Sequence, residues 1–207
     1  NPPLLDYLAN ELVDNSFDTR ALARTILLSG VFRTSSMANA TNFDDTQNFS
    51  HYPVRRIQAE VLLDAISQVT MVPEKFPGHP TGTRTIELWD NKLPSYFLDI
   101  FGRSERKSPC ECGSSGDPTM TQALHLLNAP EIEAKIQHKN GRIARLIDAG
   151  VPREQLISLL AYATVNRPPT AEEKEVAEKL FSQEAEELAA QDFLWTLLNS
   201  YDFLFIR

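Results

Sequence analysis

Two cysteines, Cys110 and Cys112, stand one residue apart in the stretch Ser-Pro-Cys-Glu-Cys-Gly-Ser-Ser-Gly-Asp-Pro, and the chain has no others. Such a pair can hold a metal, exchange electrons, attack a substrate or close a disulfide. Zinc sites favour cysteines separated by about two to four residues, because that loop lets both sulfurs reach one ion about 2.3 Å away. A single intervening residue is tighter. His79 and His125 are the candidates to complete a site, but a lone histidine in Ala-Leu-His-Leu-Leu-Asn is more often packed or on the surface. Cys110, Cys112 and His125 therefore stand as weak metal candidates, and no metal is expected. Haem attachment needs Cys-x-x-Cys-His, which is absent. A nucleophilic cysteine needs a lowered pKa and a base. Arg103, Arg106 and Lys107 supply positive charge nearby, but the sequence shows no partner base. A disulfide would close a small, strained ring. Thiols or a local disulfide that shape the loop are the first reading, and a ligand site is the second.

Two further clusters carry reactive groups. Asp44, Asp45 and Asn48 in Asn-Phe-Asp-Asp-Thr-Gln-Asn offer oxygen ligands of the kind calcium takes. The segment lacks the glycine and terminal glutamate of an EF-hand, so a solvated loop that caps itself is expected. Arg55, Arg56 and Glu60 open an amphipathic stretch, and Arg56, Glu60, Asp64 and Gln68 fall on one helical line. Such a line can be a docking or active surface; more often it is a solvated face laced by weak ion pairs. If the three clusters met, a cleft would join Asp44, Asp45, Asn48, Arg55, Arg56, Glu60, Cys110 and Cys112. That cleft is the candidate site of an enzyme reading, with no catalytic residue assigned. There is no Gly-x-Ser-x-Gly, His-Glu-x-x-His or P-loop.

The totals bound the class. The 207 residues are 42% hydrophobic and 23% charged, which suits a folded domain. The formal net charge of -8 argues against a nucleic-acid binder. No apolar run approaches the roughly 18 residues of a membrane span. The chain opens with Asn-Pro-Pro-Leu-Leu and no leader, which reads like the interior of a longer protein.

Helical periodicity dominates the elements that must carry these groups. Leu4, Leu5, Leu8 and Leu12 form one face after two prolines, and Ser16 or Asp18 can cap a second helix ending at Gly30. A polar stretch without periodicity follows. Pro53 opens the strongest pattern, with a stripe of Ile57, Val61, Ala65 and Val69 widened by Leu62 and Ile66. Residues 83–89 alternate well enough for one short strand. Short helices are expected at 95–101, after a Thr119/Gln122 capping box, and from Pro130. Four more follow: residues 141–150 ending at a glycine, a helix with Leu156, Leu159 and Leu160, a Thr170/Glu173 capping box before Val176, Leu180 and Phe181, then an apolar segment to Ile206 that should dock in the core. The expectation is a mostly α fold: one multi-helix domain over 1–207, long irregular loops at 33–52 and 72–118, and at most a short strand or hairpin.

Several stretches, taken in order, resemble a known family: "PPLLDYLANELVDNSFDTRALARTILLSGVFRTSS", "YPVRRIQAEVLLDAISQVT", "CEC" followed by "PTMTQALHLLNAPEI", "NRPPTAEE" and "LLNSYDFLF". Together they resemble the planctomycete PSD1 domain, also called DUF1553, over nearly the whole chain. The resemblance implies context rather than chemistry. The domain is usually the C-terminal part of large exported bacterial proteins, periplasmic or in the cell envelope. A companion domain of the DUF1549 type commonly lies upstream, often with a cytochrome c-like or Ig-like module. The family domain normally begins before the segment matched by Pro3-Leu4-Leu5-Asp6, so this chain is expected to lack its first part. The resemblance implies no cofactor in this chain, haem c in other domains of the full protein, and no catalytic residue to carry over. One departure is that a Glu-Arg pair commonly follows the cysteines, where this chain has Gly113 and Ser114. The function expected is a helical accessory or interaction domain packing on its companion. The alternatives are part of an enzyme of envelope carbohydrate or redox metabolism completed by that companion, or a metal-binding module.

Overall fold

The structure is a computed structural model that describes residues 1–45, 47–88, 93–103 and 129–206. The fold is mostly α. Among the described residues there are ten α-helices, one 3₁₀ turn and one two-stranded ribbon. The chain divides into two compact units, residues 1–54 and residues 55–206.

The first unit is a helical hairpin followed by irregular chain. Helix α1 (Pro2–Asp14) starts on Asn1, whose side chain accepts the Leu4 N–H. Helix α2 (Thr19–Leu28) is capped by Asp18, which accepts the N–H groups of Arg20 and Ala21. The Thr25 hydroxyl donates to Glu11 at 3.2 Å and ties the two helices together. The expected left-handed stop at Gly30 does not occur. Helix α2 ends one residue earlier, at Ser29 in extended conformation, and the Ser29 hydroxyl accepts the Phe32 N–H to start a further turn.

The second unit is organised on helix α3 (Ala59–Thr70). This helix begins six residues later than Pro53 suggests. The physical reason lies at the far end of the chain. Strand β1 (Arg55–Arg56) pairs antiparallel with β2 (Phe205–Ile206), placing Arg55 opposite Ile206 and Arg56 opposite Phe205. Two residues held in a ladder cannot also be helical, so the helix starts after them. Its buried face is Ala59, Leu62, Leu63, Ile66, Val69 and Thr70, while Val61 is exposed. Burying Leu62 and Ile66 fully, at about 25 cal/mol per Å² of apolar surface, is worth more than any local preference of the helix.

Helix α3 ends in a left-handed Met71, with Val72 N–H donating to Ser67 O and Met71 N–H to Gln68 O. The remaining end is closed by two cations. Arg142 donates through Nε to Val69 O at 2.5 Å and through Nη2 to Gln68 O at 3.1 Å. Lys135 is 8% exposed; its Nζ donates to Val72 O at 2.8 Å and Ser67 Oγ at 3.3 Å, and pairs with Glu74 at 3.2 Å. Positive charge at a helix C-terminus also complements its dipole.

The stretch expected as a strand at 83–89 is instead a 3₁₀ turn at Thr85–Glu87 within the described residues. Asp64 on α3 imposes it by accepting Thr85 N–H at 2.6 Å and Ile86 N–H at 3.2 Å. Asp64 is thus a cap for another segment and not part of a solvated line. Helix α4 (Tyr96–Ile100) follows, ending before a left-handed Gly102. The expected Thr119/Gln122 capping box and its helix lie outside the described residues.

Helices α5 (Pro130–Ile136), α6 (Arg142–Asp148), α7 (Arg153–Val165), α8 (Ala171–Gln183), α9 (Glu186–Leu198) and α10 (Tyr201–Leu204) complete the unit. Helix α9 is the central strut, with Ala189, Ala190, Phe193, Leu194, Leu197 and Leu198 buried. The faces of α7 and α8 are rotated slightly from the expected ones. Ile157 and Ala177 are buried, whereas Leu159 and Val176 are exposed.

Gly141, the cap of α6, lies between these parts. A Cβ there would sit 2.8 Å from His138 O and 3.3 Å from Thr70 O. Both are backbone atoms that cannot swing aside. Gly141→Ala should therefore destabilise the fold by about 1–3 kcal/mol, read as a lower urea midpoint for the second unit. An unchanged midpoint would show that α3 and α6 tolerate separation.

Candidate functional site

The expected site residues fall into three places. Asp44, Asp45 and Asn48 lie in the first unit, and Arg55, Arg56 and Glu60 lie in the second. Cys110, Cys112 and the weak candidate His125 lie outside the described residues.

In the first unit Asp45 is committed to its own loop. One carboxylate oxygen accepts the N–H groups of Gln47 and Asn48 and the Asn48 side chain, and the other accepts Ser50 N–H and its hydroxyl. These hydrogen bonds, led by the Ser50 hydroxyl, hold the Asp45 carboxyl well below the usual range. Asn42 behaves alike, accepting Asn39 N–H and donating to Ser50 O. Asp44 and Asn48 are exposed. The loop caps itself through Asp45, whose oxygens are spent on three backbone N–H groups and two side-chain donors.

In the second unit Arg56 is half-buried and spans two elements. Its Nη2 donates to Phe101 O at 2.9 Å, and its guanidinium lies over the Phe101 ring, 5.7 Å from the centroid. Burial pushes its pKa down. Phe101 in turn stacks on Phe97 at 4.3 Å. Arg56 therefore fastens strand β1 to the end of α4. Arg55 is exposed on the same strand, and Glu60 sits in the first turn of α3, where a negative charge complements the helix dipole.

A charged constellation that the sequence did not single out joins α7, α8 and α10. Asn166 closes α7 in left-handed conformation and hands the chain to Arg167. The Arg167 guanidinium donates to both Glu173 oxygens at 2.8 Å, and to Asp202 Oδ2 at 3.0 Å from Nε and 2.5 Å from Nη2. Glu173 also accepts Thr170 N–H while Thr170 Oγ1 accepts Glu173 N–H, the expected capping box. The Glu173 carboxyl is held below its usual value, first by Arg167, and Arg167 is held further toward its charged form by the two carboxylates. The arrangement is a bidentate clamp of opposite charges.

The second unit also carries an open pocket of about 450 Å³, walled by α5, α8 and α9, with Glu133, Gln137, Gln191, Asp192, Trp195 and Thr196 among its lining. Among the described residues no group of three His, Cys, Asp or Glu side chains could hold a metal ion, and no helix is long and apolar enough to cross a membrane.

A family model described as PSD1, protein of unknown function (DUF1553), matches residues 1–181. The chain belongs to the PSD1 family. The match takes in the hairpin, α3, the Asp45 loop and the Arg167–Glu173 pair of this PSD1 chain. Helices α9 and α10, with Asp202, lie beyond it. No curated protein and no solved structure matches the chain.

The clamp makes a pH-dependent prediction. A carboxyl whose folded pKa is depressed contributes stability that is complete above its unfolded value and is lost as pH falls through the folded one. Glu173→Gln should therefore lower stability at neutral pH by roughly 1–3 kcal/mol, less where solvent screens the pair. The variant and parent curves should converge in acid, below the ordinary glutamate value of 4.5. Thermal unfolding from pH 7 down to pH 3 would show it. Parallel curves over that span would remove the clamp's role.

Proposed function

We propose that this PSD1 chain is a helical accessory and interaction domain that docks a companion domain of the same polypeptide through its N-terminal hairpin. The observation that carries the reading is the state of the hairpin. None of the described side chains in residues 1–54 is buried. Leu5 is 69% exposed, Phe17 68% and Leu28 57%. Large apolar side chains left exposed at both ends of a helical hairpin favour an interaction role for it.

Phe17 sharpens the point. It and Ser16 both adopt left-handed backbone, at φ 62° and 54°, in the turn between α1 and α2. A bulky aromatic in that conformation costs free energy, offset in part by the bonds that close α1: Phe17 N–H donates to Leu12 O at 2.8 Å and Ser16 N–H to Val13 O at 3.0 Å. The strain presents an aromatic side chain at the tip of two helices, where a partner can bury it. Placement in an exported protein, and association with cytochrome c modules, belong to the same proposal and rest on the family resemblance alone.

Phe17→Asn provides a test, because asparagine accepts left-handed backbone and lacks the ring. The variant should fold at least as stably as the parent while its association with the companion domain, measured by calorimetry, weakens by about tenfold or more. Leu5→Lys should do the same. Undiminished association in both variants would sink the proposal.

A further inference from the structure

We propose that the trough between α5 and α9 is a docking groove for a basic amphipathic helix of about three turns. It lies wholly within the second unit and is independent of the hairpin reading. Helix α9 turns one face to the core, while residues 187, 188, 191, 192, 195 and 196 line two adjoining hollows that share Gln137 and Gln191. Those positions follow one another at the spacing of a single helical stripe. They cover nine steps of helix, about 14 Å at 1.5 Å per residue. Across the trough α5 supplies Ile132, Glu133 and Ile136, and Gln137 follows at its C-terminal end. A groove with two helical walls and this length fits a short helix laid along it.

The floor and rim differ in character. Ile132 and Ile136 form an apolar base, joined by Leu180 from α8 and the half-buried Trp195. Leu188 is 47% exposed and stands two turns before Trp195 on the same stripe. The two would grip apolar residues seven apart on a partner helix. Glu133, Glu187 and Asp192 edge the trough, and none of the described residues lining it is lysine, arginine or histidine.

Glu184, just ahead of α9, adds to the imbalance. Its Oε2 is buried with no hydrogen-bond partner among the described residues. Loss of hydration, and then the Asp192 charge, push its carboxyl pKa up. Glu184 also shares a hydrogen bond with Asp192, so a proton relieves this pair in the free chain, and a cation brought by an occupant would relieve it in the complex. The chain's own net charge of -8 disfavours a second copy, and the same sign disfavours an anionic lipid surface.

The test uses the full 207-residue chain and a labelled synthetic 14-residue helix with leucines seven apart, flanked by lysines. Anisotropy should report saturable binding that weakens with added salt. A peptide of the same composition with its leucine seam scrambled, and one with the lysines replaced by glutamine, should each bind about tenfold more weakly or worse. The surface variant Glu133→Gln/Asp192→Asn keeps side-chain volume and should lose a similar factor, with an unchanged circular-dichroism spectrum and a melting temperature no lower than the parent's. Equal binding by the scrambled peptide, or by the variant, would overturn the proposal. So would failure of the seam peptide to bind while neutral oligosaccharides do, or self-association of the chain that the variant abolishes.

Discussion

The C-terminus of α3 is the point on which the second unit depends. A helix leaves its last carbonyls without intrahelical donors, and burying them unpaired would cost several times the net worth of a hydrogen bond. Here Ser67 and Gln68 carbonyls accept the turn at Met71 and Val72, and Arg142 and Lys135 reach back to Gln68, Val69 and Val72. Both cations come from a short stretch of chain around Gly141, whose missing side chain lets that stretch approach Thr70 O. Positions of α5 and α6 follow from this one closure. Helix α9 then packs across both of them, so the trough between α5 and α9 inherits its geometry from bonds made at the far end of α3.

The two units solve the burial problem differently. Every buried apolar side chain among the described residues belongs to the second unit. The first unit has helix caps, a Thr25–Glu11 link and a self-capped Asp45 loop, all of them polar and local. Local polar bonds fix conformation but supply little of the free energy that burial provides. A hairpin so made is shaped without being deeply stabilised, in keeping with the docking role we propose for it.

What could be read from the amino-acid sequence divides along the same line between local and distant causes. The mostly α fold, a cap at Ser16 or Asp18, the Thr170–Glu173 capping box and the short helix at 95–101 were legible, because each is a relation between residues a few positions apart. The late start of α3 was not, because its cause is β2, about 150 residues away. Asp64 was assigned to a solvated line since its spacing from Glu60 and Gln68 is that of one helix stripe. Nothing in that spacing reveals that the 85–87 turn lies over it. Arg167 sits in Asn-Arg-Pro-Pro, where the two prolines stiffen the chain beside a charge, and that stiffness is the signal that could have marked it. Its second partner, Asp202, is 35 residues on and had no such mark.

The reactive groups of the candidate site illustrate how structure reassigns chemistry. Asp45 and Arg56 are residue types that can bind ligands, but their hydrogen-bonding capacity goes into the fold: Asp45 into five donors of one loop, Arg56 into the Phe101 carbonyl and ring. A carboxylate so engaged is a poor base, since protonating it would break several bonds at once, and its depressed pKa expresses that. The acidic rim of the α5–α9 trough is the opposite case. Glu184 does not itself line the trough, but lost hydration, the charge of Asp192 on the rim and a hydrogen bond shared with it push the Glu184 carboxyl pKa up. Charges that stabilise this fold are recognised by their satisfied bonds; the Asp45 and Glu173 carboxyls are also held toward the charged form, whereas burial pushes Arg56 and Arg142 the other way. Among the described residues the Glu184–Asp192 pair carries no such satisfied bonds to the fold, and Asp192 also lines the trough in which we propose a partner helix docks.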